Sequence, residues 1–400
     1  MSKLTGKKIL IISPRFPFPA KGAGEQDRLE GFRQLKRLGA EIKILSKIFS
    51  HQDKHQIEEF CKKEGLVVDL IYYEFDKKKS VKDYLARIIK PRLWDGSANE
   101  YASKDTKQAF EKNILDFRPN VVWFEFTYLW PLYRIARKYN KKIVVRSHNF
   151  EPNHFIQEDG YSILNIFKFA IKFINEFIST RSVDALFAIS PKEREIYKRM
   201  GVKKVETLPL RSLSKLIGVW NQNGVLSKVP LKAFFSGSTY NVSHNKKTLE
   251  FLLKKVFPEL NKREFTFYVI GSKFPSNLRK YLSENVIYTG YVNNMNNFIS
   301  DMDIAITPSL MGAGMQQKIF EPIARGISTI TSKRGLAGYD FVPGEDLLIA
   351  DGATGFVEGL NKIKDVNLRV RLSENSLSKS KKIFNQDRLD SIVLDTLRQL

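Results

Sequence analysis

The sequence is poor in cysteine and in long apolar runs, and both shortages narrow the class of protein. Its 400 residues include one cysteine, Cys61, which excludes an internal disulfide, a structural zinc finger and a cysteine-bound iron–sulfur cluster. No stretch approaches the roughly 18 uninterrupted apolar residues of a membrane span. The apolar run at 9–12 is too short for the core of a secretory signal. We therefore expect a cytoplasmic protein, soluble or peripherally attached to the inner face of a membrane.

Acidic residues are also scarce relative to basic ones. The sequence has 66 Lys and Arg but 43 Asp and Glu, which gives a formal net charge of +23. The basic excess is spread over both halves of the chain. Such a charge attracts nucleic acid, anionic lipid or a phosphorylated substrate, although a lysine-rich genome is an equally simple explanation. Nucleic acid is the weakest of these candidates, because zinc-finger spacing, an RNA-recognition signature and a basic zipper are all absent from the sequence.

What is present is a regular alternation of strands and helices, first in one half of the chain and then again in the other. Short apolar runs bounded by turns predict buried parallel strands, and they lie at 8–12, 41–45, 120–126, 142–146, 185–189, 232–235, 265–270, 286–288 and 304–306. The pattern predicts an α/β protein with two doubly wound, Rossmann-like domains, residues 1–208 and 209–386. An amphipathic helix at 387–400 is expected to pack back on the first domain. Ligands should bind at the carboxyl ends of the strands, in a cleft across which the two domains face each other.

The most informative segment is 311–326, where a strand end is followed by a glycine pair and a helix. Gly312 and Gly314 allow the backbone to approach a ligand closely, and the helix beyond them suits a phosphate. Lys318 and Glu321 are three residues apart and share one helix face. An ammonium for a diphosphate and a carboxylate for ribose hydroxyls would together bind a nucleoside diphosphate. An ordinary surface Lys–Glu pair is the alternative.

This segment resembles the nucleotide-binding signature of retaining glycosyltransferases of family 4, which have the GT-B fold. The pattern G-x-G-x-x-x-K-x-x-E-x-x-A-x-G is matched by Gly312, Gly314, Lys318, Glu321, Ala324 and Gly326. The resemblance implies that Glu321 holds the ribose. The first glutamate of the family's more familiar signature falls on Ala313, so its interaction is absent here. Met315, in the same loop, is a further expected donor contact.

The resemblance extends along most of the chain and implies further binding residues after other strands. They are Gly22 and Gly24 in the first proline-glycine loop, Arg146, His148 and Asn149 in a histidine motif, Ser190 after another strand, Gly237, Ser238 and Asn245 in the first loop of the second domain, Gly271 after its next strand, and Tyr291 and Val292 beside the nucleotide base. Family members carry a diphosphate-binding arginine and lysine where Ser238 and Asn245 stand. Lys246 and Lys247 lie next to that position.

The function implied by the resemblance is transfer of a sugar, of the hexosyltransferase type, from a nucleotide sugar to a polysaccharide, glycan or lipid-linked acceptor of the cell envelope. His148 is expected to contact the donor sugar and Lys318 the diphosphate, both as catalytic residues. Neither a metal nor another cofactor is expected, because lysine and backbone amides can neutralise the diphosphate. A nucleotide-sugar epimerase and a non-catalytic sugar-nucleotide or glycan-binding protein are the alternatives.

Several other patterns are interpreted as structural. Asp301 and Asp303 spell the D-x-D motif of metal-dependent transferases but precede a strand, at the wrong end for the site. His51 and His55 have metal-ligand spacing without a third ligand. Cys61 has no histidine partner in view, and Glu151 follows the histidine motif as a helix cap.

The segment 161–178 has one narrow polar stripe, formed by Asn165, Lys168, Lys172, Asn175 and Ser179, on an otherwise apolar helix. A helix of this kind either packs its apolar face on the sheet or lies in a membrane surface. We favour the buried alternative, because the domain needs helices to cover its sheet.

Overall fold

The computed structural model describes residues 4–20, 22–49, 52–73, 81–218, 229–310 and 315–400. The chain divides into two compact units. Unit 1 comprises Met1–Ser212 with Gln386–Leu400, and unit 2 comprises Leu213–Asn385.

Unit 1 is built on a parallel sheet of seven strands in the order β3-β2-β1-β4-β5-β6-β7. The strands are β1 (Lys8–Ser13), β2 (Glu41–Phe49), β3 (Val67–Tyr73), β4 (Val121–Glu125), β5 (Lys142–Ser147), β6 (Ala185–Ala188) and β7 (Val205–Thr207). Alternate residues of the central strands enter two separate hydrophobic cores: Ile9 and Ile11 contribute to one, Leu10 and Ile12 to the other. The unbroken apolar runs in the sequence therefore reflect burial on both faces of the sheet.

Helices cover both faces of this sheet. They are α1 (Ala23–Arg37), α2 (Lys54–Glu64), α3 (Val81–Ile89), α4 (Gly96–Tyr101), α5 (Lys104–Phe117), α6 (Tyr133–Lys138), α7 (Glu151–Asp159), α8 (Ile163–Thr180) and α9 (Pro191–Arg199), with 3-10 helices at Pro91–Trp94 and Thr127–Leu132. Their ends follow local chemistry: Gly65 ends α2 in the left-handed conformation, and the Ser190 hydroxyl accepts the Glu193 N–H at the start of α9.

Unit 2 repeats the plan with six parallel strands in the order β10-β9-β8-β11-β12-β13. These are β8 (Leu231–Thr239), β9 (Phe265–Ser272), β10 (Val286–Gly290), β11 (Ile304–Thr307), β12 (Ser328–Thr331) and β13 (Leu348–Ile349). The helices are α10 (Ser243–Phe251), which continues as a π-helical turn, α11 (Met295–Ile299), α12 (Gln317–Ile323), α13 (Gly352–Lys362) and α14 (Val366–Phe384). The expectation of two Rossmann-like α/β domains is confirmed.

The last helix, α15 (Gln386–Arg398), belongs to unit 1. Leu389, Val393 and Leu397 are fully buried in the core beneath α1 and β1. Its polar side is held as well, because Asp390 accepts hydrogen bonds from the Arg37 guanidinium and the Gln34 amide.

The favoured interpretation of α8 was wrong. Its polar residues Lys172 and Asn175 are buried, whereas Ile163 is 91%, Ile166 56% and Ile174 51% exposed. The reason is a buried polar partner that the sequence pattern does not reveal: Asp95 accepts hydrogen bonds from Lys172 at 2.8 Å and from Asn175 at 3.4 Å. Within the described ranges no helix is both long and apolar enough to cross a membrane.

Candidate functional site

Each sheet has a switch point, where the strand order reverses and the loops at the carboxyl ends of the strands diverge to leave a crevice. In unit 1 it lies between β1 and β4, and in unit 2 between β8 and β11. Most of the described residues proposed from the sequence lie at or beyond the carboxyl ends of the parallel strands.

In unit 2, two glycines allow the ends of β8 and β9 to lie close together. A β-carbon on Gly271, whose φ is +143°, would lie 1.9 Å from the Gly237 carbonyl oxygen, so both strand ends can approach each other only without a side chain there. Tyr240 closes the space beneath by donating its hydroxyl to the Ile270 carbonyl at 2.7 Å. Both glycines are buried, and the ends of β8 and β9 lie backbone against backbone at this point.

The loop after β8 is held by its own side chains. Asn245 is buried and donates to the Thr239 carbonyl at 3.1 Å, while the Ser272 hydroxyl donates to the Ser238 carbonyl at 3.1 Å. Asn245 therefore shapes this loop through its amide, and the neighbouring Lys246 and Lys247 are exposed.

Lys318 and Glu321 lie on the short helix α12 after β11. Burial lowers the pKa of the Lys318 ammonium to about 8. In the part of the chain that the structure describes, no carboxylate or hydrogen-bond acceptor contacts this ammonium. Burial likewise raises the pKa of Glu321, which lies 3.8 Å from Arg325 and is partly compensated by it. The Lys318 ammonium is thus largely removed from water without an acidic partner among the described residues.

The remaining predicted residues of this region differ in their exposure to solvent. Met315 packs under Gly338, where a β-carbon would meet its Cγ at 2.5 Å. Tyr291, after β10, is 71% exposed, whereas Val292 packs on the smaller core of unit 2. Gly312 and Gly314, with Ala313, lie outside the described residues.

In unit 1, the switch point holds a buried cluster of five charged or titratable side chains, all at most 5% exposed: Asp27, Glu125, Arg146, His148 and Arg211. Arg211 Nη2 lies 2.9 Å from Asp27 Oδ2 and 3.1 Å from Glu125 Oε2, and the Arg211 backbone N–H also donates to Asp27. Arg146 Nη2 is 3.7 Å from Asp27 and donates to the Pro209 carbonyl. The Arg146 side chain is thus fully buried and bonded within the cluster.

Both ring nitrogens of His148 face carboxylates of this cluster. Nε2 is 2.8 Å from Glu125 Oε2, and Nδ1 is 3.6 Å from Asp27 Oδ2. The ring also stacks on Phe126 at a centroid distance of 4.3 Å. Burial lowers the pKa of His148 despite the neighbouring carboxylates. A neutral imidazole donates its Nε2–H to Glu125, and this bond fixes its tautomer and orientation.

Charge pairing decides the protonation of the two carboxylates. Burial alone would raise the pKa values of Asp27 and Glu125, but the guanidinium of Arg211 holds both below their usual range. Asp27, Glu125 and His148 are close enough together to ligate a cation. Arg146 and Arg211, however, already balance the two negative charges, so the cluster has no net charge to attract one.

The other residues predicted in unit 1 lie in the loops around this cluster. Gly22 and Gly24 are exposed at the start of α1, where the Gly22 N–H donates to Glu25 at 2.9 Å. The carbonyl of Asn149 accepts the Ser147 hydroxyl at 2.8 Å. Ser190 caps α9, so its hydroxyl is already used at the helix start.

The structure describes several of the residues that were interpreted as structural. Asp303 accepts the Lys232 N–H at 2.7 Å and joins the starts of β11 and β8. Cys61 is buried, and burial raises the pKa of its thiol to about 11. His55 is exposed on α2, and His51 lies outside the described residues.

Glu151 is the first residue of α7, where burial and the neighbouring Glu176 raise its pKa to about 8. It begins the helix without serving as its N-cap, which is Phe150.

Sequence reasoning missed Asp27, Glu125 and Arg211. Glu125 had a signal, since it is the polar last residue of the otherwise apolar strand Val121–Glu125 and so lies at the carboxyl edge. Asp27 and Arg211 had none, because they are 184 positions apart and only the fold brings them together.

Comparisons with known proteins agree with the fold of the two units. Residues 231–365, all in unit 2, match the family model described as Glycosyl transferases group 1. Sucrose-phosphate synthase from Thermosynechococcus elongatus is 14% identical and matches over 98% of each chain, with a TM-score of 0.68. The Anabaena protein HepE, in complex with UDP and glucose, is 13% identical over 98% of this chain and 100% of its own, with a TM-score of 0.62. The chain has the GT-B fold.

A glycosyltransferase from Rickettsia africae has the same fold, with 14% identity over 98% of each chain and a TM-score of 0.64. No curated protein matches the chain in sequence. At identities this low the solved structures establish the fold, and the match to group 1 glycosyl transferases covers the unit that contains Lys318 and Glu321.

Proposed function

We propose that the protein is a retaining, family-4-like glycosyltransferase that moves a sugar from a nucleotide-sugar donor to a polysaccharide, glycan or lipid-linked acceptor. The observation that carries the proposal is Lys318, whose buried ammonium has no anionic partner among the described residues. It follows the carboxyl end of β11, within the segment 231–365 that matches group 1 glycosyl transferases. A nucleoside diphosphate supplies the missing anion. HepE, which shares the fold, binds UDP and glucose, and this supports a UDP-sugar as the first donor to try.

For this reaction the protein must position the two substrates and neutralise the charge that develops on the leaving diphosphate. When the bond between the sugar C1 and the diphosphate oxygen breaks, its electron pair stays on that oxygen, and Lys318 stabilises the growing charge. The acceptor hydroxyl attacks C1 on the same face, and its proton passes to the leaving oxygen. A metal is not needed for this step, since the ammonium and backbone amides bind the diphosphate.

Unit 1 supplies the sugar and acceptor side of the proposal. We assign His148 to the donor sugar as a neutral imidazole, because burial lowers its pKa and Glu125 holds its Nε2. Gly24 leaves open space at the start of α1, since the nearest atoms to a β-carbon there lie beyond 4 Å, whereas one at Gly22 would meet Glu25 at 3.6 Å. Peripheral attachment to the inner face of the membrane would place the enzyme beside cell-envelope acceptors.

Sugar-nucleotide binding without transfer is the second candidate function, and Ala313 favours it. In the resemblance this position belongs to a glutamate of the donor site, which is missing here. Hydrolysis or transfer of a bound donor would exclude this candidate.

The test is a transfer assay over a donor titration with Lys318→Ala and Glu321→Gln. The contact of Lys318 strengthens as the bond breaks, so its loss should lower chiefly kcat. Ribose hydroxyls do not change during the reaction, so loss of the Glu321 carboxylate should raise chiefly the donor KM. Loss of one charge-assisted hydrogen bond costs about 1.5–3 kcal/mol, or roughly 10- to 150-fold.

Lys262→Ala is the control, because Lys262 is an exposed lysine of the same unit that precedes β9, at the amino end of the sheet. Unchanged kcat and KM in both site variants, with full transfer activity, would show that the donor binds elsewhere.

A further inference from the structure

Unit 1 presents a continuous apolar surface to solvent, here called the α3–α8 face. Its α8 part is a stripe along the outward side of the helix, formed by exposed Ile163, Leu164, Ile166, Phe167, Phe173, Ile174 and Ile178. Ile163, Phe167, Ile174 and Ile178 are separated by four, seven and four residues, and these helical spacings place the stripe on one side of the 18-residue helix. The stripe is about 24 Å long at 1.5 Å per residue.

The second part of the face comes from α3 and the 3-10 helix that follows it. Ile88 and Ile89 are 72% and 78% exposed, and Leu85 is exposed beside them. Trp94 of the 3-10 helix packs edge-on against Phe167 of α8 at a centroid distance of 5.9 Å. This contact joins the two parts into one surface.

The outward orientation of α8 is imposed by buried polar bonds on its inner side. Lys172 pairs with Asp95 at 2.8 Å, and Glu176 accepts the Tyr197 hydroxyl at 2.6 Å. Rolling the helix to bury its apolar side would break these bonds and leave charged groups without partners, which is costly in a protein interior. The apolar side chains are therefore held outward and remain available to a partner.

The charges around the face select the partner. Lys90 and Arg92 are exposed beside Ile88 and Ile89, and the Arg87 guanidinium lies 5.4 Å from the centre of the Trp94 ring. The sequence has no acid from 84 to 94 and one from 161 to 180, the buried Glu176. The exposed acids Glu158 and Asp159 lie before α8, at one end of the stripe.

We propose that the α3–α8 face lies in the interface of an anionic lipid bilayer, with the apolar stripe among the acyl chains and Lys90 and Arg92 at the headgroups. Exposed aliphatic and aromatic side chains flanked by cations are the composition that such interfaces bind. A second copy fits less well, because a two-fold contact would bring the same cations together without acids from the face. The proposal rests on the peripheral attachment included in the proposed function, and it identifies the surface responsible.

The experiment is flotation of the full-length protein with vesicles of phosphatidylcholine alone or mixed with phosphatidylglycerol, without nucleotide sugar. Binding to the mixed vesicles at low salt, and weaker binding at high salt, is expected. Ile166→Glu with Ile174→Glu should lower the partition coefficient by about 100-fold or more, since two buried aliphatic side chains are lost. Lys90→Gln and Arg92→Gln should each lower it about fivefold on mixed vesicles only.

Leu115→Glu is the matched control, because Leu115 is 53% exposed on α5 and outside the face. All variants sit on the surface, so circular dichroism and melting temperature should match those of the wild type. The proposal is overturned if the wild type fails to float, or if it floats and the Ile166/Ile174 double variant floats equally well. It is also overturned if the wild type is a dimer that the double variant dissociates while neither binds vesicles. Transfer activity is measured separately, so failure here and failure of the transferase proposal are distinguishable.

Discussion

Lys318 carries the clearest prediction for a single residue, because its pKa of about 8 lies within a range that binding assays can reach. Below this pKa the ammonium is charged and attracts a diphosphate, and above it the neutral amine does not. UDP affinity should therefore fall as the pH rises from 7 to 9.5. The terminal phosphate, with a second pKa of about 6, is fully ionised over that range. Isothermal titration calorimetry at several pH values measures the change.

Lys318→Arg is the control for this pH dependence. The guanidinium keeps its charge over the whole range, so the variant should bind UDP with little change between pH 7 and 9.5. An equally steep fall in the variant would assign the pH dependence to another group.

Arg211 carries the second residue-scale prediction, because it is the cation between two buried carboxylates. Arg211→Met leaves Asp27 and Glu125 buried with less compensation and should lower the free energy of unfolding at pH 7 by about 3–5 kcal/mol. The pH dependence should also change sign. In the wild type the depressed carboxylate pKa values give stability that is present above about pH 4 and lost as the pH falls further.

In the Arg211→Met variant the same carboxylates have raised pKa values, so unfolding releases their protons and stability falls as the pH rises from 5 to 7. Urea unfolding at both pH values measures this, with Arg134→Met as an exposed control. A variant that is as stable at pH 7 as at pH 5 would contradict the pairing.

At the scale of elements, α15 shows how a terminal helix becomes part of a core. The Leu389 side chain is fully buried in the core, whereas that of Ile392 on the same helix is partly exposed to solvent. Leu389→Ala should lower the free energy of unfolding of unit 1 by about 2–5 kcal/mol, through lost burial and a cavity. Ile392→Ala should cost clearly less, and chemical denaturation of both variants compares them. Equal losses would mean that the helix detaches before unit 1 unfolds.

The helix α8 shows the opposite relation between an element and its surroundings. Its pattern predicts two faces, one narrow and polar and one wide and apolar, and both are present. Their orientation depends on Asp95 and Tyr197, which come from distant segments and bond to Lys172 and Glu176. A periodic pattern therefore predicts that a helix has a buried and an exposed side. It does not predict which side is buried when the protein interior contains polar side chains that can bond to the polar stripe.

At the scale of the whole molecule, the chain passes between its two units twice, near 212 and near 385. Unit 1 is therefore discontinuous in sequence: its last helix follows the residues that form unit 2. Each unit has its own hydrophobic cores and its own switch point. The net charge of +23 acts at this scale too, since it favours anionic partners such as a nucleotide donor and an anionic lipid surface.

The alternation of strands and helices, the division into two α/β domains and the helical 386–398 segment could be predicted from the sequence. These features depend on local periodicity and on turn residues, which act over a few positions. Lys318 and Glu321 could be proposed for the same reason, since their spacing on one helix is local.

Only the tertiary structure decided which charges are buried together and which way α8 faces. Asp27, Glu125 and Arg211 come from a helix, a strand end and the segment before unit 2. Glu125 is marked locally as the polar end of an apolar strand, whereas Asp27 and Arg211 look like ordinary surface residues in their own stretches. Their pairing depends on the close approach of segments far apart in sequence, where removal from water makes every charge require a partner. Local sequence determines what an element can bury, whereas the packing of distant elements determines what it does bury.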